Sequence, residues 1–212
     1  MRKKRVRFED FARLPNCIAE PLNQDWGSYF AQAEQPLWLE LAAGKAYFSV
    51  ELARLRPERN VLALDTKRER LYMGAQRALD SGLRNLAFVW TDIYILDRIL
   101  PPQSVAGIWI TFPDPFPKER HAPRRLTSPY FLALYRQVAR PGAHLHFKTD
   151  DAPLFDYSLQ TLADAGYRLQ ASTRDLYRSD LLDELTGIPT PFEERWRAEG
   201  KPINYLCAQI PR

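Results

Sequence analysis

Short apolar runs alternate with longer amphipathic segments along most of this chain. The apolar runs are bounded by polar or turn-forming residues and predict buried strands at 37–41, 61–64, 86–90, 105–110, 143–148, 167–172 and 203–210. Between them, apolar residues at helical spacing predict helices at 45–56, 67–81, 128–139 and 152–165. This alternation predicts an α/β fold with a doubly wound, mostly parallel, seven-stranded sheet.

No internal repeat and no low-complexity linker interrupts the pattern. We therefore expect one domain over residues 26–212, preceded by a basic arm over residues 1–25. Five of the first seven residues are Arg or Lys. Clustered positive charge is typical of proteins with polyanionic partners, and a solvated tail has the same composition.

The composition narrows the class of protein. With 212 residues, 45% of them hydrophobic, the chain can bury a sizeable core. Cys17 and Cys207 have neither metal-ligand spacing nor a disulfide framework, so we expect no metal site and a cytoplasmic location. No apolar run approaches the length of a membrane span, and no apolar segment follows the basic start as in a signal peptide. The net charge of +4 is too small to identify a partner by itself.

The segment from Thr111 to Pro117, with the sequence TFPDPFP, carries the strongest functional signal. Proline fixes its own φ and restricts the residue before it, so Asp114 is expected to be held extended at the carboxyl end of a strand. Open α/β sheets bind ligands at that edge. A basic cluster follows at once, formed by Lys118, Arg120, His121, Arg124 and Arg125. A rigid carboxylate beside these cations is suited to recognising a base and its phosphates.

Three further acids stand at the ends of the first three predicted strands of the domain. Glu40 precedes a turn that contains Gly44, and Asp65 and Asp92 end the second and third strands. A dinucleotide fingerprint requires three glycines in this turn, so one glycine argues against NAD or FAD. Asp65 has the spacing of an acid that binds ribose hydroxyls, but Asp65 and Asp92 could equally cap the following helices.

Two further segments, nearer the C-terminus, contain candidate site residues. Asp150 follows the strand 143–148 and should lie at the same edge as Asp114. Thr190, Pro191, Phe192 and Glu193 form the sequence of a helix start, with Thr190 as N-cap and Glu193 completing a capping box. Such a helix start is a structural feature first, and its exposed groups could also contact a base.

Taken together, these motifs resemble the tRNA (guanine-N7-)-methyltransferases. The resemblance runs from about residue 37 to the C-terminus and includes Glu40-Leu41 with Gly44-Lys45, the Pro-Asp-Pro segment with its basic tail, Phe147 to Asp150, and Thr190 to Glu193. It implies a class I, Rossmann-like methyltransferase fold. It also implies transfer of a methyl group from S-adenosylmethionine to N7 of the guanine at position 46 in the tRNA variable loop.

The resemblance also assigns roles to the residues that match the family's motifs. Glu40, Gly44, Asp65 and Asp92 take the cofactor-binding positions, and Asp114 takes both a cofactor contact and the catalytic position. The implied substrate-binding residues are Lys118, Arg120, Arg124, Arg125, Asp150, Thr190, Pro191, Phe192 and Glu193. The expected partners are tRNA and S-adenosylmethionine, and no metal or membrane is expected. The protein is expected to be a monomer or homodimer.

The chain departs from the family in its first turn, where Ala42 and Ala46 replace the outer glycines of a Gly-x-Gly-x-Gly pattern. Phe116 replaces the usual Trp, and Asp65 replaces the commoner Glu. Two alternatives follow from these departures. The chain could be an RNA-binding module whose cofactor site has degenerated, or a methyltransferase for another substrate.

Overall fold

The computed structural model describes residues 9–211. The chain divides into two compact units, Met1–Leu100 and Pro101–Arg212, called here the N-terminal and C-terminal units. The basic cluster at residues 2–7 lies outside the described residues, so the prediction of an RNA-binding or solvated arm stays a prediction. The prediction of one domain over 26–212 also stays a prediction.

The N-terminal unit contains a parallel sheet in the order β1-β4-β3-β2. Its strands are β1 (Cys17–Ile18), β2 (Leu37–Leu41), β3 (Asn60–Asp65) and β4 (Leu86–Trp90), and its helices are α1 (Tyr47–Leu55), α2 (Arg68–Asp80) and α3 (Leu96–Ile99). Every residue of β3 is buried, as expected for a central strand covered on both faces. Gly82, at φ +66°, follows the end of α2 as the predicted left-handed stop.

Strand β1 was not predicted. Residues 1–25 were expected to form an arm, but Cys17 and Ile18 pair in parallel with Phe88 and Val89 of β4. Phe11 is fully buried, and the Asn16 side chain donates to the Ala75 carbonyl at 3.1 Å. Residues 11 and 16–18 of the expected arm are therefore packed into the N-terminal unit. A strand of two residues has no measurable periodicity, which is why the sequence pattern did not reveal it.

The C-terminal unit contains a mixed sheet in the order β5-β6-β8-β7. Its strands are β5 (Val105–Thr111), β6 (Ala139–Thr149), β7 (Arg168–Thr173) and β8 (Asn204–Gln209), and its helices are α4 (Pro129–Val138), α5 (Ala152–Asp164) and α6 (Pro191–Ala198). Strands β5 and β6 are parallel, whereas β8 runs antiparallel to both β6 and β7. The parallel pair brings the residues that follow β5 and β6 to one edge of this unit.

The sequence located most of the described helices and strands closely, with three differences. The short helix α3 (Leu96–Ile99) was not among the predicted segments. Eight strands are described, four in each unit, where seven were predicted; the additional strand is β1. Strand β6 begins at Ala139 rather than 143, because Ala139 pairs with Val105 before a register irregularity. No helix in residues 9–211 combines the length and apolarity needed to cross a membrane.

Candidate active site

The turn between β2 and α1 has an unusual backbone. Ala42, Gly44 and Ala46 adopt φ values of +57°, +58° and +52°, so all three lie in the left-handed region. These are the three positions of the family's glycine pattern, and the structure gives the physical reason for that pattern. A Cβ built on Gly44 would meet no other atom within 4 Å, so space is open beside the turn. The turn forms with alanine at two of the three positions.

Glu40 lies at the start of this turn and is 1% exposed. Its Oε2 accepts a hydrogen bond from the Ser49 backbone N–H at 3.0 Å and another from the Ser49 hydroxyl. The N-cap residue of α1 is Ala46, which offers no side-chain cap, so Glu40 supplies an acceptor to the first turn of the helix. This contact gives Glu40 a structural role, and its predicted role in cofactor binding stays a prediction.

Asp65, at the end of β3, joins the second strand to the first turn. Its Oδ2 accepts from the Gly44 N–H at 2.8 Å, and its Oδ1 accepts from the Lys67 N–H at 2.6 Å. Burial raises the pKa of the Asp65 carboxyl, while these two N–H groups and the charges of Arg70 and Lys67 oppose the rise. Asp65 therefore contacts the turn directly, through the Gly44 N–H. Lys67, not Asp65, is the N-cap of α2.

Asp92 follows β4 and is exposed. It is the N-cap of a 3-10 turn at Ile93–Ile95, and its Oδ1 accepts from the Tyr94 N–H at 3.1 Å. The capping alternative considered from the sequence is therefore present. A carboxylate has about four acceptor sites, so one cap bond leaves acceptors for a ligand.

Glu40, Asp65 and Asp92 stand at or near the carboxyl ends of β2, β3 and β4, which are neighbouring parallel strands. All three carry carboxylate oxygens near a turn with open space, and Asp92 is exposed whereas Glu40 and Asp65 are buried. This donor-free set fits a ligand with several hydroxyl or amino donors and no phosphate, as in the ribose, adenine and amino acid parts of S-adenosylmethionine.

The loop after β5 also contains left-handed residues, but they are large. Phe112 and Phe116 adopt φ values of +50° and +45°, and each precedes a proline. A bulky residue in this region is an outlier whose conformation the surrounding structure must hold. The Phe112 N–H donates to the Lys148 carbonyl at 2.9 Å, which fixes one end of the loop. Asp114 lies between the two bends and is exposed.

The basic segment after the loop divides into two groups. Lys118, Arg120 and Arg124 are exposed, and the Arg124 guanidinium lies 4.7 Å from the centre of the Phe116 ring. Arg125 was grouped with them in the sequence, but it is 6% exposed. Its side chain donates to the Phe116 carbonyl, so it is not presented to solvent with its neighbours. The sequence pattern did not predict the 3-10 helix at Glu119–Arg124, which ends between the two arginines.

The capping box at the start of α6 forms as predicted. The Glu193 N–H donates to Thr190 Oγ1 at 3.2 Å, and the Thr190 N–H donates to Glu193 Oε2 at 3.3 Å. Phe192 is 62% exposed, Pro191 is exposed, and Asp150 is half-buried. Glu193, in contrast, is completely buried, which turns its carboxylate away from solvent.

Lys148 is the residue that sequence reasoning missed. It is completely buried at the end of β6, and its Nζ lies 2.6 Å from Glu193 Oε1. The same ammonium donates to the carbonyls of Thr186 at 2.7 Å and Ile188 at 3.2 Å. Glu193 Oε1 also accepts from the Tyr177 hydroxyl at 2.9 Å, and burial together with this carboxylate raises the pKa of Tyr177. The sequence did contain a signal for this buried pair, because a lysine at the end of an apolar strand pattern requires a partner.

Comparisons with known proteins agree with this geometry. A family model described as "Putative methyltransferase" matches residues 34–206. A tRNA (guanine-N(7)-)-methyltransferase of Cytophaga hutchinsonii is 38% identical over 97% of this chain and 96% of its own length. One of Bacteroides fragilis is 34% identical over 100% of this chain and 87% of its own length.

This chain belongs to the tRNA (guanine-N7-)-methyltransferase family. Among solved structures, the 16S rRNA methyltransferase KamB matches with a TM-score of 0.65 and 20% identity, covering 87% of this chain and 90% of that chain. A 16S rRNA (adenine(1408)-N(1))-methyltransferase of Catenulisporales acidiphilia, solved with its cosubstrate SAM, matches with a TM-score of 0.58 and 16% identity, covering 88% of each chain. These likenesses show the fold, which is the predicted class I methyltransferase fold.

Proposed function

We propose that this protein transfers the methyl group of S-adenosylmethionine to N7 of a guanine in tRNA, at position 46 by analogy with its family. The observation that carries the proposal is the loop after β5. It presents an exposed carboxylate, Asp114, between two left-handed residues, and exposed cations follow it. Membership in the tRNA (guanine-N7-)-methyltransferase family supports the same reaction.

The N-terminal unit is proposed to hold the methyl donor. Bound S-adenosylmethionine would supply an electrophilic methyl group. Asp65 would accept hydrogen bonds from the ribose hydroxyls, and Asp92 would accept one from the adenine amino group. Glu40 and the turn at Gly44 would line the amino acid end, where the absence of a Cβ at Gly44 leaves room.

The C-terminal unit is proposed to hold the guanine. N7 of guanine carries an in-plane lone pair, so no general base is needed and catalysis consists mainly of orientation. Asp114 can accept hydrogen bonds from guanine N1–H and the exocyclic amine, a pattern that adenine does not offer. Such a pair discriminates by about 1–3 kcal/mol. The same carboxylate favours the positive charge that develops on the methylated ring.

The tRNA backbone is proposed to lie against the exposed cations of the same unit. Lys118, Arg120 and Arg124 have the exposure that phosphate contacts require. Such contacts release counterions, so tRNA affinity should fall steeply with salt. They would also offset the few kcal/mol required to pull the target guanine from its stack. Asp150 and the exposed Phe192 are proposed to line the base pocket.

Two broader expectations complete the proposal. The protein acts in the cytoplasm, where its tRNA substrate is found, and it acts as a monomer or homodimer. Only the tRNA partner is supported by the names of relatives.

The direct test is to incubate the protein with an unmodified tRNA transcript and methyl-labelled S-adenosylmethionine, and then to map the modified nucleotide. We expect one labelled N7-methylguanine in the variable loop. A matched transcript with adenine at position 46 should take up no label. Methylation at another nucleotide, or equal labelling of the two transcripts, would contradict the proposed specificity.

A further inference from the structure

Arg125 differs from the other cations of its segment in where its side chain lies. Only 8% of that side chain is exposed, whereas Lys118, Arg120 and Arg124 are exposed residues. A buried guanidinium cannot exchange its neighbours for an RNA phosphate without first leaving them. Its function must therefore be read from the groups that it contacts inside the unit.

The contacts of Arg125 come from three different segments. Its Nε and Nη2 both donate to the Phe116 carbonyl, at 3.3 Å and 3.1 Å, and Nη2 lies 3.3 Å from Glu119 Oε1. Its guanidinium also stacks over the Tyr157 ring of α5 at 4.3 Å. Two N–H groups on one oxygen together with a face on an aromatic ring is a geometry that only arginine supplies.

Arg125 binds the carbonyl of Phe116, a residue whose backbone conformation requires support from the surrounding structure. Phe116 adopts φ +45°, a region that an aromatic residue enters only under constraint, and it immediately precedes Pro117. Its carbonyl belongs to a peptide unit without an N–H, so that unit can be anchored only through the oxygen. Asp114 lies two residues before this bend, and the other bend, at Phe112, is fixed by Lys148.

We infer that Arg125 is a positioning residue for methyl transfer, which acts by fixing the bend at Phe116 and hence the direction in which Asp114 is presented. This inference rests on the proposed function, in which Asp114 contacts the guanine. The inference gives two adjacent arginines different roles. Arg124 contacts the RNA, and the buried Arg125 stabilises the loop through the Phe116 carbonyl. An error of about 1 Å in such a group can lower a rate about 100-fold.

The test replaces Arg125 with Lys, which keeps the charge and loses the fork and the stacking. We expect kcat at saturating tRNA to fall about tenfold, while KM for tRNA and the salt dependence of binding stay within twofold of the wild type. Amide hydrogen exchange should accelerate in the peptide covering 112–118 and stay unchanged elsewhere. Arg140→Lys, at an exposed arginine outside residues 118–125, is the matched control and should change neither the kinetics nor the exchange.

Arg124→Ala provides the opposite pattern, a higher dissociation constant for tRNA with a lower salt slope. If Arg125→Lys gives that pattern instead, Arg125 contacts phosphate and the inference is overturned. It is also overturned by normal turnover together with normal exchange in 112–118. If Arg125→Lys does not fold, Tyr157→Leu removes the stacking platform alone and must lower kcat without raising KM, or the inference fails.

The two proposals fail separately. If the wild-type protein labels no tRNA, the proposed function is rejected. The hydrogen-exchange comparison needs no activity, and it still decides whether Arg125 holds the loop.

Discussion

Both segments proposed to contact reactants are built from left-handed residues, and they hold those residues in different ways. The turn after β2 uses alanine and glycine, which carry little side-chain bulk, and Asp65 binds the turn through one backbone N–H. The loop after β5 uses two phenylalanines. At one end the Phe112 N–H donates to the backbone carbonyl of Lys148, and at the other the buried Arg125 side chain donates to the Phe116 carbonyl. The first arrangement is set by backbone chemistry, whereas the second depends on packing in the C-terminal unit.

This difference predicts where the protein is fragile. Arg77 donates to the Lys45 carbonyl of the turn, and Ala46 is fully buried, so the turn should tolerate substitution best at the half-buried Ala42. The loop should depend on buried side chains outside it, of which Lys148 and Arg125 are the clearest. The Lys148 ammonium lies 5.9 Å from the centre of the Phe112 ring, and Arg125 donates to the Phe116 carbonyl. The variants below test this contrast, beginning with the largest expected change in free energy.

Lys148→Met should lower the free energy of unfolding by about 3–5 kcal/mol, because it leaves the Glu193 carboxylate buried and unpaired. Urea unfolding followed by circular dichroism measures the change. Lys201→Met is the control, since Lys201 and Glu199 form an exposed pair at 3.6 Å, which contributes under about 1 kcal/mol.

The double variant Lys148→Met with Glu193→Leu tests whether the cost arises from the unpaired charge. The double variant should lose less free energy of unfolding than the two single variants lose together, because no buried charge remains. Equal destabilisation by Lys148→Met and Lys201→Met would show that the buried pair does not hold this region.

Asp114→Ala should lower kcat for tRNA methylation about 10²–10³-fold, because it removes the acceptor proposed for guanine and the charge that stabilises the methylated ring. The dissociation constant for tRNA should change little, since the exposed cations remain. Single-turnover methylation and filter binding measure the two quantities. Asp164→Ala removes a comparable exposed acid at the end of α5 and should alter neither. Near-normal turnover of Asp114→Ala would reject its assignment.

Asp65→Ala should raise the dissociation constant of S-adenosylmethionine about 10–100-fold, because the ribose loses a charged acceptor and the Gly44 N–H loses its partner. Titration calorimetry gives the affinity, and tRNA binding should be unaffected. Asp80→Ala, at the exposed end of α2, serves as the control. If the wild-type chain itself shows no binding of S-adenosylmethionine, the alternative of an RNA-binding module is favoured.

Arg124→Ala should weaken tRNA binding several-fold and reduce the slope of log affinity against log salt by about 0.7–0.9, the share of one phosphate contact. Filter binding between low and physiological salt measures the slope. Arg140→Ala removes an exposed charge outside the segment and should leave the slope unchanged. An unaltered slope in Arg124→Ala would remove this residue from the RNA surface.

Much of the fold could be predicted from the sequence because strands and helices leave periodic patterns. The capping box at Thr190 and the glycine stop at Gly82 were also predictable, since each depends on residues close in sequence. The acids at Glu40, Asp65 and Asp92 were located by their position after strands. Of the two capping roles considered for these acids, Asp92 caps a 3-10 turn, whereas Lys67 rather than Asp65 is the N-cap of α2.

The supporting residues could not be predicted. The Lys148–Glu193 pair joins positions 45 residues apart, and the Arg125–Tyr157 stacking joins β5's loop region to α5. Such contacts depend on how elements pack, which a periodic pattern does not encode. The rule that residues before proline are extended also failed at Phe112 and Phe116, because long-range contacts outweigh a local preference.

The smallest predicted effect concerns the turn. Ala42→Gly should change the free energy of unfolding by between 0 and about +1.6 kcal/mol, because glycine removes a left-handed cost of about 1–2 kcal/mol and adds unfolded-state entropy of about 0.4–1 kcal/mol. Ala46→Gly is the informative partner, since Ala46 is fully buried and a Cβ on Gly74 would come within 2.9 Å of its methyl group. Losing that methyl group opens a small cavity, so Ala46→Gly should be less stable than Ala42→Gly in thermal melts. If both variants destabilise the protein by more than 1 kcal/mol, the turn also depends on packing, and its contrast with the loop disappears.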